Sequence, residues 1–212
     1  MGSRYIAIEG PIGVGKTSLA NMLAEELDAR LLLENVEENP FLGRFYENRK
    51  DYAFQTQVFF LLSRYRQQSE LSQPDLFKQS TVSDYLFDKD RIFAGVNLTD
   101  TEFALYDQVY ALLDHRIPRP DLVIYLQAGP RVLLDRIKRR AKEYEKGIDS
   151  GYLARLSEAY NDYFFYYTAS PLLVVNTDKI DFVKSRRDFE ELLKQIKRLK
   201  RGTQYFVPLG SK

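Results

Sequence analysis

Short apolar runs alternate with longer amphipathic ones along most of the chain. Arg4–Glu9 (RYIAIE) is apolar at successive positions and predicts a strand buried on both faces. The next stretch is different. Leu19, Met22, Leu23 and Leu27 recur at three- and four-residue spacing, so Lys16–Leu27 predicts a helix. Arg30–Leu33, Ser80–Ser83, Asp121–Leu126 and Leu172–Val175 predict further short strands. Helices are expected from Asn39-Pro40, over Asp51–Leu71, near Asp90–Gly95, and over Asp100–His115, Pro130–Lys142, Asp149–Ala169 and Asp181–Arg201. The punctuation agrees. Gln73-Pro74-Asp75 breaks the long helix, an Asp or Thr caps the one containing Glu102, and Pro130 starts another. Apolar strands separated by helices imply a parallel sheet covered on both faces. The expected fold is α/β, with about five parallel strands in three layers. One domain over residues 1–202 is expected, then a tail over 203–212 in which Tyr205-Phe206-Val207 is an extended segment docked on the body.

One junction in this pattern carries chemistry. Gly10-Pro-Ile-Gly-Val-Gly15-Lys16-Thr17 follows the first strand and opens the first helix, the context that gives G-x-x-x-x-G-K-[ST] its meaning. Backbone amides at Gly10, Gly13, Val14, Gly15 and on to Ser18 would turn toward phosphate oxygens at a helix N-terminus. Lys16 would bridge the β- and γ-phosphates, and Thr17 would give its hydroxyl to Mg²⁺. The chain is therefore expected to bind a nucleoside triphosphate.

Composition narrows what happens next. Of 212 residues none is cysteine and only His115 is histidine, which excludes disulfides, thiolate zinc and multi-histidine metal sites. Lys and Arg number 31 against 30 Asp and Glu, a net charge of +1 that argues against nucleic acid or an anionic membrane as partner. The longest apolar runs, such as Val58–Leu62, are too short to span a bilayer, and the opening residues do not resemble a signal peptide. A cytoplasmic protein is expected, working with carboxylates, cations, hydroxyls and amides.

Glu34 ends the second strand, where parallel sheets gather ligands. It is either a base for an attacking hydroxyl or an exposed member of the acidic loop Glu34, Glu37, Glu38. Asp84 ends the third strand and suits a water-mediated Mg²⁺ role. Arg136 and Arg140 are four apart in a basic stretch, so both can reach one object. The last turn there carries more charge than a helix dipole needs, which favours a lid over 136–148. Gln57 and Arg64 are two turns apart on an otherwise apolar helix. They meet either a polar ligand or solvent at the helix edge. No Asn-Lys-x-Asp guanine signature is present, and the best apolar strand ends in Gln127, so a GTPase switch or a motor fits poorly. A small-molecule kinase fits better. The alternatives are a thymidylate-type nucleoside monophosphate kinase and a non-catalytic nucleotide-binding module.

With these residues assembled, the chain resembles the deoxynucleoside kinase family over roughly Arg4 to Leu199. The matching segments are Glu34-Asn-Val, Phe54-Gln-Thr-Gln57 with Leu62-Ser-Arg64, Asp135-Arg136-Ile with Arg140-Ala-Lys142, Glu145-Lys-Gly-Ile148 and Val175-Asn-Thr-Asp178. The resemblance implies a P-loop kinase fold and ATP- and Mg²⁺-dependent phosphorylation of a deoxyribonucleoside 5′-hydroxyl in nucleotide salvage, commonly in a homodimer. It makes Glu34 the base, puts Tyr46 on the sugar, Gln57 on the base edge and Arg64 near the 5′ position. It also puts Arg136 and Arg140 on phosphates and Glu145 on the 3′-hydroxyl, with Asp178 and Phe182 by the donor adenine. One departure stands out. Relatives carry acid-Arg-Ser after the third strand, whereas this chain has Ser83-Asp84-Tyr85, and Lys89 falls where some members carry an Asp.

Overall fold

The computed structural model describes residues 4–72 and 80–208; Gln73-Pro74-Asp75 lies outside them. Six strands form one fully parallel sheet in the order β2-β3-β1-β4-β5-β6. They are β1 (Arg4–Glu9), β2 (Arg30–Leu32), β3 (Ser80–Ser83), β4 (Leu122–Gln127), β5 (Leu172–Asn176) and β6 (Thr203–Phe206). The expectation of about five strands falls short by β6, which lies in the tail where Tyr205-Phe206-Val207 is expected to be an extended segment docked on the body. Gly202, at φ 72°, turns the chain so that Thr203–Phe206 pairs with β5. The strand is short and half-exposed at a sheet edge, so no apolar run announces it.

The central strands are apolar on both faces because both are covered. Ile6, Ile8, Ile124, Leu126 and Val175 pack in one cluster with Leu19 and Leu23 of α1 (Lys16–Glu26). Ala7, Val123, Tyr125 and Val174 point the other way, onto α7 (Ser150–Phe165). A third cluster joins α3 (Arg49–Ser69), α4 (Lys89–Asn97) and α5 (Asp100–Asp114). The remaining helices are α2 (Leu42–Glu47), α6 (Pro130–Arg140) and α8 (Arg186–Arg198).

Caps set several of these ends. Thr99, not Asp100, caps α5 through a reciprocal box with Glu102. Ser185 caps α8, so the helix expected from Asp181 begins five residues later, leaving Asp181–Lys184 as a loop beside the P-loop. Ala141 adopts φ 54° and ends α6 directly after Arg140. Among the described residues no helix is long and apolar enough to cross a membrane.

Candidate active site

The loop between β1 and α1 is shaped by its glycines. Gly10, Gly13 and Gly15 have φ of 148°, 83° and 108°, a region that costs a side-chain-bearing residue strain. At Gly13 a Cβ would also lie 2.8 Å from Ile137 Cγ1 of α6, so glycine lets that helix close onto the loop. Lys16 Nζ donates back to the carbonyls of Gly10 at 2.7 Å and Pro11 at 3.1 Å. Burial, assisted by repulsion from Lys89, pushes the Lys16 ammonium down to about 8. Beside this loop is a cavity of about 400 Å³, bordered by Ser18, Arg136, Arg139, Arg140 and Phe182.

Asp84 ties the strand ends together. Its Oδ2 accepts from Thr17 Oγ1 at 2.6 Å, and its Oδ1 accepts the Glu34 amide at 2.9 Å. A hydroxyl and a carboxylate in contact are hard oxygen donors that fit Mg²⁺ sharing its remaining positions with phosphate oxygens.

A second cavity, of about 530 Å³, lies on the other side of Lys16. Its walls include Glu34, Tyr46, Gln57, Phe60, Arg64 and Phe93. Lys16, Thr17 and Arg140 border both cavities, which therefore meet at these side chains. At that junction sits a buried charge cluster. Arg64 pairs with Glu34 Oε1 and with Asp90, while Lys89 donates to Glu34 Oε2. Burial alone would raise the Glu34 carboxyl, but Arg64 and Lys89 outweigh it and hold the group at about 2. The acidic-loop alternative for Glu34 is thereby excluded: the side chain is only 10% exposed.

Gln57 and Arg64 both lie on the buried face of α3, so neither marks a solvent edge. Gln57 is 2% exposed, and its amide faces the cavity without a hydrogen bond among the described residues.

The deoxynucleoside kinase family profile matches residues 6–200. The chain belongs to the deoxynucleoside kinase family. It is 39% identical to a deoxyguanosine kinase of Bacillus subtilis over 92% of this chain and 97% of that one. A deoxyadenosine kinase of Lactobacillus acidophilus is 33% identical, over 91% and 94% respectively. The solved structure of a deoxyadenosine kinase from M. mycoides, with products dCMP and a flexible dCDP bound, superposes with a TM-score of 0.78. It is 25% identical and covers 91% of this chain and 98% of its own.

In this deoxynucleoside kinase Arg136 and Arg140 differ in aim. Arg140 binds both carboxylate oxygens of Glu145, which is itself buried, at the seam of the two cavities. Arg136 instead donates to the Val14 carbonyl at 3.1 Å and to Thr177 Oγ1 and carbonyl at 3.0 and 2.8 Å. Both border the phosphate cavity, yet here they do not hold one object. Tyr46 stacks on Tyr144 at 6.5 Å and lines the cavity that Glu34 also lines. Phe182 lies on the P-loop side against Gly15. Asp178 is turned to the Gly129 amide at 2.7 Å and is not on the phosphate-cavity wall.

Three residues escaped the sequence reasoning as site members. Asp90 anchors Arg64, and Lys89 reaches Glu34; a helix is expected near Asp90, but the packing of its first turn against Arg64 and Glu34 is set by tertiary structure. Glu9, fully buried, accepts the amides of Gly10 and Leu86 and the Tyr160 hydroxyl, bracing the P-loop entry. An acid ending an otherwise apolar strand was the available signal.

Proposed function

We propose that this kinase transfers the γ-phosphoryl group of ATP to the 5′-hydroxyl of a deoxyribonucleoside. The observation that carries the reading is the meeting of two cavities at Lys16, Thr17 and Arg140, with the Glu34 carboxylate at the junction. Triphosphate enters by the P-loop and nucleoside by the second cavity. The 5′-oxygen forms a bond to the γ-phosphorus as the bond from that phosphorus to the β–γ bridging oxygen breaks, releasing ADP. The hydroxyl proton passes to Glu34 and then to solvent. A carboxylate held near 2 is a weak base. That suits a loose transition state, in which the proton leaves late and orientation of the hydroxyl matters most. Mg²⁺, held by Thr17 and Asp84, would neutralise phosphate charge when bound.

The unpaired Gln57 amide offers a donor and an acceptor to a base edge, between the aromatic walls of Phe60 and Phe93. Arrival of substrate gives Arg140 and Glu145 new partners, a phosphate for the one and the 3′-hydroxyl for the other, and the segment over 136–148 acts as the lid. A monophosphate acceptor fits less well. Arg64 and Lys89, the buried cations on that cavity's wall, are both committed to Glu34 and not free to clamp an acceptor phosphate. A homodimer, in a cytoplasmic setting, is part of the same reading.

The test is ADP release with Mg·ATP across a panel of nucleosides and nucleoside monophosphates. Turnover with one or more deoxynucleosides is expected. Activity on monophosphates alone overturns the nucleoside assignment, and none on either favours a binding module.

A further inference from the structure

Lys89 is in a place that disfavours a cation. It is the first residue of α4, whose N-terminus already carries positive potential. Its ammonium group is close enough to Lys16 for the two to repel, and the residue is 6% exposed, so water does little to screen it. No gain in helix stability explains a lysine there. What does face it is carboxylate: Glu34 Oε2 accepts its hydrogen bond, and Phe93, one turn further along α4, supports the ammonium at 5.7 Å from its ring centre.

The geometry of Glu34 gives this contact a use. Its Oε1 is held from α3 by Arg64, which Asp90 fixes from behind. Its backbone amide is held by Asp84. One cation on one oxygen leaves the carboxylate free to rotate about its last torsion; a second, from a different helix and on the other oxygen, sets its plane. We propose that Lys89 is a positioning residue for Glu34, orienting the carboxylate that receives the acceptor hydroxyl. The inference rests on the proposed kinase reading.

The experiment is a double-mutant cycle on the full chain. Lys89→Met, Lys89→Arg, Glu34→Gln and the Lys89→Met/Glu34→Gln pair are compared by kcat and KM for nucleoside and ATP, with Tm as the folding control. Lys89→Met is expected to lower kcat by roughly 10- to 100-fold, because small misplacements at a reacting centre cost on that order. KM for ATP should change less than about threefold, and Lys89→Arg should restore most of the turnover. In the Glu34→Gln background Lys89→Met should change kcat less than about threefold, since the group it positions has gone. A full additive loss in that background overturns the proposal. So does an effect confined to KM, or a well-folded Lys89→Arg as impaired as Lys89→Met. If Lys89→Met does not fold, Lys89→Gln takes its place in the cycle with the same expectations. A wild type inactive on every nucleoside overturns the kinase reading and this inference together. An active wild type with an unaffected Lys89→Met overturns this inference alone.

Discussion

The acceptor cavity holds its charges in two ways. At its inner end Glu34, Arg64, Lys89 and Asp90 lie between 0% and 10% exposed and belong to three separate elements of the fold. At its lid end Arg140 and Lys142 are 41% and 36% exposed, with Glu145 and Glu37 as partners. Glu37 is itself 76% exposed. The inner set must be satisfied whether or not a ligand is present, since a buried charge without a partner is expensive. The outer set is unequal: Lys142 and Glu37 can part at little cost because both reach water, whereas Glu145, only 5% exposed, needs a replacement partner before Arg140 leaves it. In the proposed reading the inner end orients the reacting hydroxyl, and the outer end exchanges partners when substrate arrives.

The largest expected effect breaks the chemistry of the inner end. Glu34→Gln should lower turnover by about 10²- to 10⁴-fold while leaving binding of an ATP analogue nearly unchanged, read by single-turnover kinetics and calorimetry. Unchanged turnover rejects the role of Glu34.

Next comes the stability contrast. Arg64→Met leaves the fully buried Asp90 without its cation and should destabilise the fold by about 3–5 kcal/mol in urea unfolding. A loss under about 1 kcal/mol would mean that the inner cluster is no more committed than the lid. Arg140→Gln should do the converse. It is expected to lower kcat by roughly 10²-fold, as removal of one charge-stabilising donor does, and to lower Tm less than Arg64→Met does, because the Gln amide still offers the buried Glu145 a donor. A large fall in Tm would make Arg140 a structural residue.

The smallest effect is confined to acid. The Glu34 carboxyl is depressed from 4.5 to about 2 on folding, so below 4.5 the unfolded chain binds the extra proton. Stability from this group is complete above 4.5 and is lost as pH falls toward 2. Glu34→Gln should flatten the dependence of unfolding free energy on pH within that window. An identical slope in wild type and variant would show that Arg64 and Lys89 do not hold the carboxyl down.

How much of this could be read in advance depends on how local the cause is. The P-loop was legible because its glycines, Lys16 and Thr17 are consecutive, and conformation and function are set within eight residues. The strands β1, β4 and β5 were legible because burial on both faces needs an unbroken apolar run. β6 was legible only as an extended docked segment at Tyr205-Phe206-Val207, not as a sheet strand, since an edge strand needs no unbroken apolar run. The ends of α6 and α8 were missed by two to five residues, where a left-handed Ala141 and the Ser185 cap override an amphipathic pattern that continues past them. Glu34, Gln57 and Arg64 were picked out, but whether they faced ligand or solvent was a tertiary matter.

The chain by itself determined the sheet class, the phosphate loop and the inventory of usable chemistry, since with no cysteine and one histidine little beyond carboxylates, cations and amides remained. These are properties of composition, period and short spacing. Only the tertiary structure decided that Lys89 and Arg64 converge on Glu34, that Asp90 stands behind them, and that Arg136 and Arg140 point apart. Those contacts join residues 26 to 122 positions apart, apart from the close Arg140–Glu145 pair, and their strength comes from burial that exists only once the layers have packed.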